Sequence, residues 1–167
     1  MRVAARDSID SIVEFYSHAL AIEREATMRY RALEAEFVER GEDLLAGLCR
    51  NLADLEQEHA SKIEQVTGGL ELPAARPGAH RWLEELPVGT GENPCEFDSD
   101  PARLLEGALH RECDAVGFYE WVANTTVSPE VRALAREMAL EELDHVKWVR
   151  DAIDYLSRNA GSKADRA

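Results

Sequence analysis

Four glutamates and two histidines occur in the same order in the two halves of this sequence. Glu23-x-x-Ala26-x-x-x-Tyr30 is followed by Glu56-x-x-His59, and Glu112-x-x-Ala115-x-x-x-Tyr119 by Glu142-x-x-His145. Carboxylate oxygens and imidazole nitrogens bind divalent first-row metals. One Glu from each of two helices, with Glu-x-x-His from each of two others, is how a helical bundle holds a metal pair in its interior. Residues three apart on a helix share a face, so Glu56 points with His59 and Glu142 with His145. A single Glu-x-x-His arises by chance about once in a Glu-rich chain of this length. Two copies, each after the same Glu-x-x-Ala-x-x-x-Tyr phrase, are a far more specific signal. Glu23, Glu56, His59, Glu112, Glu142 and His145 are therefore the expected metal ligands, with Glu56 and Glu142 bridging and each His terminal. Four carboxylates in a low-dielectric core repel one another and must take up protons or cations. Two divalent ions would balance the four negative charges. Iron suits redox chemistry, while zinc or manganese fits the same donors.

The elements that must place these groups are four helices. Apolar residues recur at helical spacing from about residue 8 to 40, 42 to 67, 101 to 125 and 129 to 159. The inward stripe of the first reads Ile12, Phe15, Ala19, Ile22, Ala26, Tyr30, Leu33, Phe37, and that of the second Leu45, Leu48, Leu52, Leu55, Ile63, Val66. The third carries Leu105, Ala108, Ala115, Tyr119, Val122 and the fourth Val131, Leu134, Met138, Val149, Ile153, Leu156. Ser8 marks the expected start of the first helix and Gly41 its end; Gly68 follows the second. Asp100-Pro101 and Ser128-Pro129 each combine an N-cap with a first-turn proline. The fourth helix is expected to stop before Gly161, with a frayed tail after it.

Glu23 stands about 17 residues before the end of the first helix and Glu56 about 14 after the start of the second, so at about 1.5 Å per residue they share a level. Short connections at Gly41 and at residues 124–128 make antiparallel hairpins. Pro73, Pro77, Pro87 and Pro94 bar a long helix from about residue 68 to 100, where a short turn near 79–86 is expected. A connection that long fits a crossover running the length of the bundle. The expectation is one all-α domain over residues 1–167, two antiparallel hairpins joined by a long crossover.

The chain has 167 residues and a formal net charge of −14, which disfavours nucleic acid and anionic membranes and favours cations. No long apolar run suggests a membrane span, and the first residues lack a signal-peptide pattern. Cys49, Cys95 and Cys113 form no CxxC pair, which points away from a structural zinc knuckle and toward a reducing, cytoplasmic setting.

These motifs resemble the rubrerythrin-like branch of the ferritin-like diiron-carboxylate proteins, over nearly all four helices and without a rubredoxin-like domain. The resemblance implies a ferritin-like four-helix bundle in which the six residues bind two metals, with Tyr30 and Tyr119 just outside them. It implies reaction with O2 or H2O2, or oxidation and storage of iron, together with an external electron donor and a homodimer. Rubrerythrins carry a further Glu three residues after the ligand of the third helix. Here that position is Ala115, which weighs against efficient peroxide reduction, and the lack of a fifth helix weighs against a large cage. Two rival readings remain from the residues: a non-catalytic metal carrier, and an interaction module that has lost its metal. His18 and His110 fall off the ligand face and His80 in the crossover, Cys113, Met28 and Met138 read as apolar filler, and Trp82, Trp121 and Trp148 lie off the ligand face.

Overall fold

The computed structural model describes residues 8–68, 70, 72–74 and 100–164. Helix α1 spans Ile12–Glu39, α2 Asp43–Val66, α3 Pro101–Thr125 and α4 Pro129–Ala164. Among the described residues there is no strand, as the purely helical periodicity requires.

Local chemistry sets the helix ends. Gly41, at φ +72°, closes α1 in a Schellman turn: its N–H donates to Val38 O at 3.1 Å, and the Glu42 N–H donates to Phe37 O at 2.9 Å. Gly68, at φ +60°, ends α2 in the same way, donating to Gln65 O. Asp100 caps α3 by accepting from Ala102 N at 3.1 Å, and Ser128 caps α4 by accepting from Val131 N at 3.3 Å.

Two boundaries differ from the sequence reading. Ser11, not Ser8, caps α1, because the residues before it have another task. Ser8 Oγ donates to Asp10 Oδ2 at 2.6 Å, and Asp10 Oδ1 accepts from Thr126 Oγ1 at 2.9 Å and Val127 N at 2.8 Å. The start of the first hairpin is thereby tied to the turn of the second. At the other terminus α4 runs through Gly161 to Ala164; an internal glycine costs a helix only about 1 kcal/mol. The expected turn near residues 79–86 and most of the crossover lie outside the described residues.

Backbones pack closely within each hairpin, α1 on α2 and α3 on α4, and less closely between hairpins. Cross-contacts give the relative direction of the hairpins. Tyr30 meets Glu112 and Tyr119 meets Glu23, so α1 and α3 run antiparallel. Consequently α3 begins beside the end of α1, at the opposite end of the bundle from the close of α2. That placement matches the long-crossover topology.

The core has two apolar clusters. One gathers Phe15, Ala19, Ile22, Ile63, Tyr119, Val122 and Val131, and the other Leu33, Phe37, Leu45, Leu52, Leu105 and Val149. The Glu and His groups occupy the level between them. Three residues expected inside are outside: Val66, Met28 and Cys113 are exposed. Val66 is the last residue of α2, where the bundle no longer covers it. Met28 and Cys113 sit on outward arcs of α1 and α3.

A contrast between glycines tests the helix-end argument. Gly41→Ala should cost about 1–2 kcal/mol, the left-handed penalty for a residue with a Cβ. Gly117→Ala, inside α3 with open space around its Cβ, should gain about 0.5–1 kcal/mol. Urea unfolding of both variants checks the opposite signs.

Candidate metal centre

Each helix carries two groups to one level: Glu23 and Tyr30 on α1, Glu56 and His59 on α2, Glu112 and Tyr119 on α3, Glu142 and His145 on α4. All four glutamates are buried, at most 2% exposed, as is His145. His59 is 12% exposed, on the side nearest solvent.

The structure brings the six residues into two adjoining groups that share Glu56. Glu23, Glu56 and His59 form one; Glu56, Glu112, Glu142 and His145 form the other. Glu56 Oε1 lies 2.9 Å from His145 Nδ1, and its Oε2 lies 3.9 Å from His59 Nδ1. One carboxylate thus stands between the two imidazoles, whose rings are stacked with centroids 6.0 Å apart. His59 Nδ1 is 3.3 Å from Glu23 Oε2, and His145 Nδ1 is 3.3 Å from Glu142 Oε2 and 3.9 Å from Glu112 Oε2. Glu142, expected to bridge alongside Glu56, falls only within the His145 group.

The tyrosines work across hairpins. Tyr30 Oη donates to Glu112 Oε1 at 2.5 Å, and Tyr119 Oη to Glu23 Oε1 at 2.8 Å. In both carboxylates one oxygen is held from outside by a phenol while the other faces an imidazole. Burial, reinforced by the neighbouring carboxylates, pushes both phenols well above their usual range, so they remain donors.

Sequence reasoning missed three contributors. Arg29, 14% exposed, donates Nη2 to Glu112 Oε1 and Nη1 to Glu25 Oε2, both at 2.7 Å. Glu25 is the second missed residue, and its i,i+4 spacing to Arg29 was the readable signal. Glu141 is the third, with Oε2 3.6 Å from His59 Nε2; one residue from Glu142, it reads as a surface acid. Among residues set aside, His110 is exposed, and His18 is buried against Phe118, away from the cluster. Trp121 packs on the first apolar cluster. Trp148 departs from expectation: its ring lies 5.6 Å from that of His145, one turn further along α4. His80, Trp82 and Cys95 lie outside the described residues.

Burial pushes the Glu56 carboxyl well above its ordinary value, and the charges of Glu23 and Glu112 add to the effect. Burial and the charge of Glu56 do the same to Glu142. Glu23 goes the other way: burial alone would raise it, but His59 and the Tyr119 hydroxyl together pull it down. These opposed shifts are the mark of carboxylates crowded into one dry site. Both oxygens of Glu56, Oε2 of Glu142 and Nδ1 of His145 are buried without a hydrogen bond. Buried polar atoms are nearly always satisfied, so these four atoms, all turned inward, fit a cation better than they fit each other. The donor set, oxygen-rich with one imidazole per group, suits a pair of first-row divalent metals.

A family model described as Rubrerythrin matches residues 103–165, the second hairpin of the bundle. No curated protein sequence matches the chain. Among solved structures, an uncharacterized conserved protein from Magnetospirillum magnetotacticum MS-1 is similar at 27% identity and TM-score 0.74, covering 87% of this chain and 95% of that one. A bacterioferritin from Rhodobacter capsulatus, solved with a metal-free dinuclear site and heme iron, is similar at 22% identity and TM-score 0.66, covering 90% and 89%. A dodecameric thioferritin, the bacterioferritin-related protein of Bacteroides fragilis, is similar at 23% identity and TM-score 0.61, covering 90% and 88%. The fold is a ferritin-like four-helix bundle. No helix among the described residues is long and apolar enough to cross a membrane.

The crowding has a measurable cost in the metal-free protein. For Glu56 and Glu142 the folded-state pKa is raised well above the ordinary carboxylate value of 4.5. Their contribution to stability is therefore full below that value and is lost as pH rises through the raised one. Glu56→Gln keeps the shape and removes the charge. At neutral pH it should stabilise the metal-free protein by about 1–3 kcal/mol and flatten the decline in stability above pH 4.5. Urea unfolding in chelator across pH checks both; an unchanged pH slope would remove the crowding argument.

Proposed function

We propose that this chain, a ferritin-like bundle whose second hairpin matches the rubrerythrin model, holds a dinuclear metal centre, best suited to iron, and acts as a diiron oxidoreductase toward O2 or H2O2. The observation that carries the reading is the pair of ligand groups sharing Glu56, with inward atoms that hydrogen bonding leaves unsatisfied. Glu23 and His59 would hold one ion, Glu112 and His145 the other, with Glu56 between them and Glu142 on the His145 side. When bound, the metal pair supplies the electrons for reducing the oxidant, or is itself the Fe(II) being oxidised.

The protein's part is positional. Tyr30 and Tyr119 each fix the outer oxygen of a ligand Glu and leave the inner one free to bind. Glu141 faces the outer nitrogen of His59 and favours presentation of Nδ1 to the centre. The apolar clusters above and below exclude bulk water from the site. A small oxidant has an approach: a cavity of about 260 Å³ reaches His59 between Tyr16, Lys62, Ile63, Met138 and Glu141. The larger groove of about 330 Å³, lined by Leu44, Leu48, Trp148 and Tyr155, is apolar and does not reach the six ligands.

Ala115 lies against this centre where rubrerythrin-type peroxidases carry another acid, and the fitting activity is therefore oxidation of Fe(II) by O2 ahead of peroxide turnover. Repeated turnover calls for an electron donor from outside the chain. A second reading is a carrier that binds metal without turnover; the unsatisfied inward atoms of Glu56 and Glu142 support metal binding in either case.

Anaerobic loading with Fe(II) followed by O2 should give metal-dependent O2 consumption near one diiron site per chain, faster than with H2O2. Glu56→Ala should reduce the rate to that of free Fe(II). Stoichiometric binding without consumption of either oxidant would move the assignment to the carrier; no stoichiometric metal would end both.

A further inference from the structure

The two copies of the ligand phrase differ in the residue before the tyrosine, Arg29 in one and Phe118 in the other. Phe118 packs its ring on His18 and Trp121 at 5.7 and 6.0 Å. Arg29 instead places a guanidinium on Glu112 Oε1 at 2.7 Å, the oxygen that Tyr30 also holds. In the matching place Glu23 meets the neutral hydroxyl of Tyr119 and the ring of His59. The ligand set is nearly two-fold symmetric, and the charge around it is not.

An arginine does not give up its proton inside a protein, so this charge is permanent. The crevice that holds it, between Ile22, Ala26, Ala115 and Glu142 with Arg111 as a second cation at its wall, has no room for a water-sized sphere, and with Arg29 only 14% exposed solvent screens the charge in part. Glu25 neutralises part of it from the far side, on Nη1. A cation placed on the other oxygen of Glu112 would share that carboxylate with the guanidinium and be repelled by it. A cation on Glu23 would meet no such competitor.

We propose that Arg29 makes the two metal positions unequal, so that the ion beside Glu23 and His59 binds first and stays while the ion beside Glu112 and His145 binds second and exchanges. The inference rests on the dinuclear reading above and concerns the order and affinity of filling; the extra carboxylate of Glu142 on the His145 side pulls the other way, and the arginine variants below separate the two effects. At an effective dielectric of about 20, repulsion between neighbouring cations is worth about ten-fold or more in affinity.

The test is anaerobic titration of the full-length, metal-free protein with Co(II), following its ligand-field absorption against a competing chelator. Wild type should take two ions with stepwise dissociation constants at least about ten-fold further apart than statistics require. Arg29→Gln should tighten the second ion by about ten-fold or more and leave the first nearly unchanged. Because that variant leaves Glu25 without its partner, the double variant Arg29→Gln/Glu25→Gln is measured beside it and should also tighten the second ion, by a smaller factor because the charge of Glu25 is removed as well. Glu112→Ala should abolish the second step and keep the first. Two ions bound with an unchanged ratio in both arginine variants would overturn the inference while leaving the dinuclear reading intact, as would a weakened second ion, which would make Arg29 a prop for Glu112. Failure of wild type to take up two ions would overturn the dinuclear reading, and the inference with it.

Discussion

Four carboxylates converge on one level of a bundle whose interior excludes water, and the rest of the structure answers to that. Glu23, Glu56, Glu112 and Glu142 are each buried, and charge in such a place is tolerated only when paired or coordinated. Two of the four are accounted for by the protein itself: Glu112 by Tyr30 and Arg29, Glu23 by Tyr119 and His59. Glu56 and Glu142 retain buried oxygens without donors. A fold that tolerates such a cluster in the metal-free state does so at the expense of stability, as functional sites commonly do.

The surrounding packing shows how that expense is met. Apolar clusters lie on both sides of the polar level, each drawing residues from both hairpins. The hairpins are close-packed internally and less so against one another, which leaves space at the seam for ligands with long side chains. Contacts across the seam do double duty. Each Tyr–Glu hydrogen bond joins one hairpin to the other and also orients a carboxylate of the buried cluster. The bond of Asp10 to the α3–α4 turn adds a further tie at one end.

The cluster is nearly symmetric in its repeated residues and not in what surrounds them. Ala26 and Ala115 occupy matching places and keep both sides free of an additional acid. Arg29 against Phe118, and Glu141 on the outer nitrogen of His59, break the match. A bundle of this type hosts many activities, so function follows from these groups and their distances. The similarity to bacterioferritin and thioferritin structures, at 22% and 23% identity, speaks for the fold.

Much of this was legible from residue order. Helical periodicity and the cap chemistry at Gly41, Asp100 and Ser128 are local properties, set by neighbours within a few residues, so the four elements and most of their ends could be read directly. The six Glu and His residues were legible because two Glu-x-x-His pairs and two Glu-x-x-Ala-x-x-x-Tyr phrases fall in phase with apolar stripes. What depended on contacts between distant segments was not. Ser11 rather than Ser8 starts α1 because Ser8 and Asp10 are engaged with a turn more than a hundred residues away. Arg29 is indistinguishable in one dimension from the other arginines of α1; only the approach of α3 puts Glu112 within its reach. Likewise, that Tyr30 serves Glu112 rather than its own hairpin follows from the antiparallel setting of α1 against α3. The sequence by itself determined which residues could bind metal and on which helices they stand. The tertiary structure alone decided which atoms face each other and which carboxylate lies between the imidazoles. It also decided where a permanent positive charge intrudes, because those outcomes depend on separations of a few ångströms between helices that no local pattern encodes.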